Sequence, residues 1–132
     1  MSDIQIVNPA EFGPALFPYS QGTVASGFVF IAGQVALDDY NNVVAPGDAY
    51  KQTLTILDRM ERVLAETDGA LADVVTATVF VTDLSHLMGF NRAWVERFGE
   101  HRPARATVIA GLLIDGLVVE VQSVAVHRGA RL

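Results

Sequence analysis

The stretch from Pro103 to Val126 constrains the fold most, because it predicts two apolar strands joined by a loop at residues 111–116. Each strand carries one charge: Arg105 lies between two alanines, and Glu120 lies between two valines. A cation and an anion within an apolar sheet cost free energy unless they are paired, solvated at a cleft or in contact with a ligand. These two side chains are therefore the first candidates for a functional site.

The remaining sequence predicts one domain over residues 1–132, in which strands precede and separate two helices. Alternating or β-branched segments predict strands at residues 4–7, 23–25, 28–32 and 73–82. Capping residues and a helical apolar period predict one helix from Asp48 to about Glu66 and another from Asp83 or Ser85 to about Gly99. The order β-β-β-α-β-α-β-β favours an α+β fold with two helices on one face of a mixed sheet.

The other face of this predicted sheet is apolar but has nothing in the chain to cover it. In the strand at residues 28–32, Phe28 and Phe30 point one way while Val29 and Ile31 point the other. Hydrophobic residues make up 51% of the 132 residues, which is high for so small a domain. We therefore expect several copies to associate through this face, with binding of some other partner as the alternative.

The first predicted helix also has a charged side, formed by Asp58, Arg59, Arg62 and Glu66. These residues lie outside the apolar stripe, and Arg62 is four positions from both Asp58 and Glu66. Ion pairs at that spacing are typical of a helix face in water. We expect all four side chains to be solvated.

Composition and motifs disfavour several classes of function. A formal net charge of −6 opposes binding to nucleic acid, and the lack of cysteine removes thiolate and disulfide chemistry. No glycine-rich nucleotide motif is present, and His86, His101 and His127 show no metal-binding spacing. The N-terminus does not resemble a signal peptide, and no apolar run is long enough to span a bilayer. We therefore expect a cytoplasmic protein with no metal, no organic cofactor and no membrane contact.

The sequence leaves alternative roles open for four residues. Arg105 offers a planar fork of donors that matches a carboxylate, although most arginines form solvated surface pairs. Glu120 could face solvent, pair with Arg105, or position and activate a water molecule. Tyr19 is either a ring that stacks on a ligand or an ordinary interface residue. Gly33 could let a ligand approach the backbone or could mark a β-bulge.

Seven segments together resemble the Rid family, also called the YjgF or reactive intermediate deaminase family. They are PYSQG at 18–22, AGQ at 32–34, Gln52, DVVTATVFVTDL at 73–84, Asn91, RPAR at 102–105 and VEVQSVA at 119–125. The resemblance spans almost the whole chain, and the combination is more specific for the fold than for the reaction. It implies a chorismate-mutase-like α+β fold and a homotrimer whose sheets form a barrel-like core, with ligand clefts between subunits.

The resemblance also implies a reaction and a set of site residues. Deaminases of this family hydrolyse enamines and imines, such as 2-aminoacrylate, 2-iminopropanoate and 2-iminobutanoate, to 2-keto acids and ammonia without a cofactor. By resemblance, Arg105 would bind the substrate carboxylate and Glu120 would hold the attacking water. Tyr19 would line the cleft from the adjacent chain, while Gly33 and Thr107 would contribute backbone groups to ligand binding.

Two positions depart from the family pattern. Deaminases of the family often have Ser where this chain has Ala32, so a hydroxyl that could bond ligand or water is missing, and often have Cys in place of Thr107. By resemblance, Asn91 would brace the second helix without touching substrate.

The favoured hypothesis is an enamine and imine deaminase. Ala32 leaves open a non-catalytic trimer that binds small 2-keto acids. An endoribonuclease or translation inhibitor, an activity ascribed to some relatives, is disfavoured by the acidic charge.

Overall fold

A computed structural model describes residues 3–131 of the chain as one mixed sheet with two helices packed against one of its faces. The six strands are β1 (Gln5–Val7), β2 (Gly22–Ala25), β3 (Phe28–Val35), β4 (Val74–Val81), β5 (Ala104–Ile109) and β6 (Val119–Val126). The helices are α1 (Ala49–Ala65) and α2 (Leu87–Phe98), and short 3-10 turns lie at residues 10–12, 71–73, 84–86 and 128–131. The predicted α+β fold and its order of strands and helices are confirmed.

The strands pair in the order β1-β2-β3-β6-β4-β5. All neighbours are antiparallel except β4 and β5, which run parallel. The last strand, β6, therefore lies at the centre, between β3 and β4, while β5 lies at one edge. This arrangement decides which predicted site residues can meet.

Local signals in the sequence fix the ends of several elements. Ser26 and Gly27 have φ values of 53° and 86°, so the two-residue turn between β2 and β3 matches the twist of a hairpin. The Asp48 side chain accepts a hydrogen bond from the Lys51 backbone N–H at 2.9 Å and begins α1. Asp83, one of the two predicted caps, begins the turn that leads into α2.

The core lies between the helices and one sheet face, where residues such as Leu57 of α1 and Val121 of β6 are fully buried. The opposite face is also apolar, as predicted, and Phe28 and Phe30 are 40% and 43% exposed there. Exposed aromatic rings on a sheet favour association with another surface. Association of several copies through this open face stays a prediction.

The charged side of α1 differs from the expectation of a fully solvated face. Arg59 is buried, because the segment before β2 and the end of β3 cover this part of the helix. Arg62 pairs with Asp39 at 2.8 Å, and Asp58 pairs with Arg97 of α2 at 2.7 Å. The ion pairs predicted within α1 are replaced by ion pairs with other elements. The helical period of the sequence does not reveal these partners.

Between residues 3 and 131, neither helix is long and apolar enough to cross a membrane.

Candidate functional site

A cavity of about 320 Å³ opens on the uncovered face of the sheet, where β3 and β6 meet. Its walls come from the segment before β2 and from the loop between β5 and β6. The lining residues are Phe17, Tyr19, Ala32, Gly33, Val35, Leu113, Ile114, Leu117, Glu120 and Gln122. Three of the predicted site residues, Tyr19, Gly33 and Glu120, therefore meet in one place in the same chain.

Gly33 lies in a β-bulge, because the register between β3 and β6 shifts between Ile31 and Gln34. A methyl group built on Gly33 would lie 2.9 Å from Cδ of Glu120 and closer still to Oε2. A side chain at this position would displace the carboxylate, because the carboxylate lies against the backbone. Of the two alternatives for Gly33, the bulge is present, and the side chain of Glu120 lies against the backbone there. A ligand contact at Gly33 stays a prediction.

Glu120 lies half-buried on the open face, since its neighbours Val119 and Val121 point into the core. Burial raises the pKa of its carboxyl group above the usual value. Within the described part of the chain, no cation forms an ion pair with it. Its oxygens can therefore accept hydrogen bonds from a water molecule or a ligand in the cavity.

A buried hydrogen-bond network holds the bulge from behind. The Gln34 side chain is 1% exposed, and its Nε2 donates to Gln21 Oε1 at 2.9 Å and to the Ala32 carbonyl at 3.1 Å. The Ala32 N–H donates to the Gln21 carbonyl at 2.9 Å. Arg59 completes the network by donating from Nε to Gln34 Oε1 at 3.0 Å. Satisfied buried polar groups fix one conformation, so the backbone around Gly33 is well determined.

Arg59 is the residue of this region that sequence reasoning missed. It is 4% exposed, donates from Nη1 to the Leu37 carbonyl at 3.1 Å, and lies 4.0 Å from the centre of the Phe12 ring. Burial, with a smaller contribution from nearby Arg62, lowers the pKa of its guanidinium. Its position in the helical period gave no signal, because the covering segment lies 47 residues earlier in the chain.

Arg105 lies apart from this cavity, on the edge strand β5. Its register partner is Ala77 of β4, whose side chain faces the helices, and Arg105 accordingly reaches α2. Its Nη2 donates to Asn91 Oδ1 at 2.9 Å, and its guanidinium lies 5.0 Å and 5.5 Å from the ring centres of Phe90 and Trp94. Desolvation by these groups lowers the pKa of Arg105. Asn91 therefore positions the guanidinium of Arg105. The sequence prediction gave Asn91 only the role of bracing the second helix.

The predicted site residues, together with Asn91, thus form two groups. We call Tyr19, Gly33 and Glu120 the glutamate half, and Asn91, Arg105 and Thr107 the arginine half. Thr107 belongs to the second because it is two residues from Arg105 on β5 and shares its face.

The two halves lie on opposite faces of the sheet, so the pairing of Arg105 with Glu120 is not found within one chain. Tyr19 and Glu120 line the same cavity of one chain. That Tyr19 completes a cleft with residues of an adjacent chain stays a prediction.

Across residues 3–131, no group of three or more His, Cys, Asp or Glu side chains is arranged to hold a metal ion.

Known proteins resemble this chain over nearly its full length. The family described as Endoribonuclease L-PSP matches residues 11–127. The 3-aminoacrylate deaminase RutC of Acinetobacter baylyi is 36% identical over 121 residues, which is 92% of this chain and 96% of the relative.

Solved structures share the fold as well. RidA from an Antarctic Psychrobacter species is 28% identical, with a TM-score of 0.85 and coverage of 92% of this chain and 98% of that one. Escherichia coli TdcF, solved with bound serine, is 25% identical, with a TM-score of 0.83 and coverage of 92% and 98%. The family match at residues 11–127 therefore spans both halves, and the solved structures share the fold that carries them.

Proposed function

The chain belongs to the Rid/YjgF family, and on that premise we propose that it hydrolyses small enamines and imines of the 2-aminoacrylate type to 2-keto acids and ammonia. The similarity to a relative named 3-aminoacrylate deaminase supports deamination of the Rid type at the level of the family. The observation that carries the proposal is Glu120, a half-buried carboxylate without an ion-pair partner among the described residues, held against Gly33 in a cavity.

We further propose that the complete site forms between two copies of the chain. The arginine half of one subunit would face the glutamate half of the next, because the two halves of one chain lie on opposite sheet faces. Exposed apolar side chains lie on the strands that carry the two halves: Ile109 on β5 is 62% exposed, and Phe30 on β3 is 43% exposed. A closed cyclic oligomer, such as a homotrimer, would bury these surfaces and repeat the same site at each interface.

Substrate binding in this proposal rests on Arg105. Its guanidinium can bind a carboxylate through two parallel hydrogen bonds, while Asn91 and the aromatic rings of α2 fix its orientation. Backbone groups at Gly33 and Thr107 would contribute further contacts, and Tyr19 would line the cavity. Fixing the carboxylate also fixes the adjacent imine carbon, which lowers the entropic part of the barrier.

Hydrolysis then requires one oriented water. Glu120 would accept a proton from this water as its oxygen bonds to the imine carbon and the C=N electron pair moves onto nitrogen. The carboxyl group would return that proton to the nitrogen, which gives a carbinolamine. Glu120 would then take the proton of the carbinolamine hydroxyl group and pass it to the amino nitrogen, so that the C–N bond breaks and ammonia leaves as the carbonyl forms. Burial raises the pKa of this carboxyl group, which makes the carboxylate a stronger proton acceptor than an exposed glutamate.

The direct test generates 2-iminopropanoate and 2-iminobutanoate in place with an amino-acid oxidase and follows release of ammonia and keto acid. We expect the protein to accelerate release, and Arg105→Ala to lose the acceleration. Arg92→Ala is the matched control. It also removes one arginine charge, but at a position on α2 where the guanidinium stacks on Tyr50. Release at the buffer rate for a whole panel of amino acids would exclude the deaminase.

A second candidate is a non-catalytic trimer that binds small 2-keto acids, favoured by Ala32, which lines the cavity without a hydroxyl. It predicts that 2-ketobutyrate raises the melting temperature while no imine is turned over. Endoribonuclease activity rests on the family description, and the net charge of −6 opposes it. RNA cleavage that Arg105→Ala abolishes would favour it over both.

A further inference from the structure

The loop between β5 and β6 is unusually apolar for a connecting segment. Leu112, Leu113 and Ile114 are consecutive, and Leu117 follows after Asp115 and Gly116. Leu112 and Ile114 are half-buried against the core and Leu117 is buried within it, so Leu113 is the exposed member of this group. A large exposed apolar side chain on a surface loop calls for a functional reason. Leu113 is 88% exposed, so packing within the described part of this chain does not explain it.

This loop forms one wall of the cavity that holds Glu120. Leu113, Ile114 and Leu117 line it together with Phe17 and Val35 from other segments. Among the described lining residues, Glu120 is the only one with a charge. The cavity therefore has a single charged point within a largely apolar wall, which is the composition of a pocket for an apolar ligand group.

The size of the cavity points the same way. Its volume of about 320 Å³ lies within the range of pockets that hold small organic ligands. With the arginine half of the next subunit covering its open side, an acid of three carbons beside Glu120 would still leave part of this space to water against apolar walls. A larger apolar side chain on the substrate would displace that water and bury the exposed surfaces of Leu113 and Phe17.

We propose that this cavity binds the substrate's side chain, and that the protein selects imines derived from bulky branched or aromatic amino acids over three-carbon imines. The inference rests on the proposed deaminase function and names its substrate class. The reacting carbon lies at Glu120, and the side chain extends toward the apolar loop. Acidic side chains are rejected, because they would place a second negative charge beside Glu120 in a partly desolvated space.

The test compares kcat/KM for imines generated in place from leucine, phenylalanine, alanine and glutamate. One additional methylene in an apolar pocket is worth about tenfold or more in discrimination, so we expect leucine to exceed alanine by at least about tenfold. Leu113→Ser should lower the leucine-to-alanine ratio at least about fivefold. Leu84→Ser is the matched control, because Leu84 is also exposed but lies in the turn before α2 and does not line the cavity.

Three results would overturn the inference. They are an alanine-derived imine used as well as the leucine-derived one, a Leu113→Ser variant that slows all imines equally, and a Leu113→Ser variant that changes the oligomeric state by light scattering. The last result would assign the loop to a subunit interface.

A binding measurement separates this inference from the proposed function. If no imine is turned over above the buffer rate, deamination fails. The pocket assignment then stands only if 4-methyl-2-oxopentanoate raises the melting temperature more than pyruvate does, and it falls if the two acids act alike.

Discussion

The glutamate half and the arginine half place their charged groups by opposite means. Glu120 lies against Gly33, whose bulge is held from behind by the buried side chains of Gln34 and Arg59. Arg105 lies on an exposed edge strand and is oriented by one hydrogen bond to Asn91 and by two aromatic faces. A group that must aim a water benefits from a rigid support, whereas an arginine that binds a carboxylate can stay exposed until a partner surface covers it.

The largest expected effect tests whether the two halves act across subunits. Arg105→Ala and Glu120→Gln should each lower kcat/KM by about 100-fold, because each removes a charge-assisted interaction with the reacting groups. When the two inactive variants are unfolded and refolded together, sites that combine the intact halves should form. Random mixing predicts recovery of about a quarter of the unmodified activity in a cyclic oligomer.

The control for mixing is each variant refolded with itself, which should stay inactive. A mixture no more active than its components would show that both groups act from one chain or that neither forms the site.

Disruption of the buried hydrogen-bond network behind Gly33 should have the next largest effect, which is a loss of stability. Arg59→Met leaves Gln34 Oε1 and the Leu37 carbonyl without their donor, at a cost of about 2–4 kcal/mol in the free energy of unfolding. Arg62→Met is matched, because Arg62 also stacks on Phe12 but pairs with Asp39 in partial solvent contact, and it should cost less than about 1 kcal/mol. Urea denaturation measures both. Equal losses would mean that the network does not stabilise the glutamate half.

Gly33→Ala should show the effect of moving the Glu120 carboxylate on catalysis separately from any effect on stability. The added methyl would displace the carboxylate of Glu120, so we expect kcat to fall about tenfold or more while Arg105 keeps KM nearly unchanged. A side-chain end can move, so the free energy of unfolding should change by less than about 1 kcal/mol. Gly111→Ala is the control, since a methyl there meets no atom within 4 Å. Full activity in Gly33→Ala would remove Glu120 from the mechanism.

The smallest expected effect concerns the pH dependence of stability at Glu120. Burial raises the folded pKa of its carboxyl group above the ordinary value of 4.5, so between the two pKa values the unfolded chain releases this proton first. Stability is therefore lost as pH rises through this window, and Glu120→Gln should remove that loss. We expect the variant to be more stable by less than about 1 kcal/mol near pH 8 and equal near pH 4, in thermal melts at both pH values. Greater stability of the unmodified protein at pH 8 would contradict the assignment.

Much of the fold could be predicted because its signals are local. Residue type and position predict Asp48 as one cap and Asp83 or Ser85 as the other, and the Ser26-Gly27 turn follows from residues that accept positive φ. Arg105 and Glu120 stood out because each is a charge between apolar neighbours. Arg59 did not stand out, because its burial depends on Phe12 and Leu37, which the helical period of α1 does not include.

The sequence by itself determined the strands and helices, the apolar character of both sheet faces, and the two charged residues most worth testing. Only the tertiary structure decided that β6 lies between β3 and β4, that Gly33 meets Glu120 through a bulge, and that Arg105 faces the helices from the opposite side of the sheet. The physical reason is that alternation along a strand tells which residues share a face of that strand. It does not tell which strand lies beside it or how two faces are aligned, because contacts distant in sequence set both.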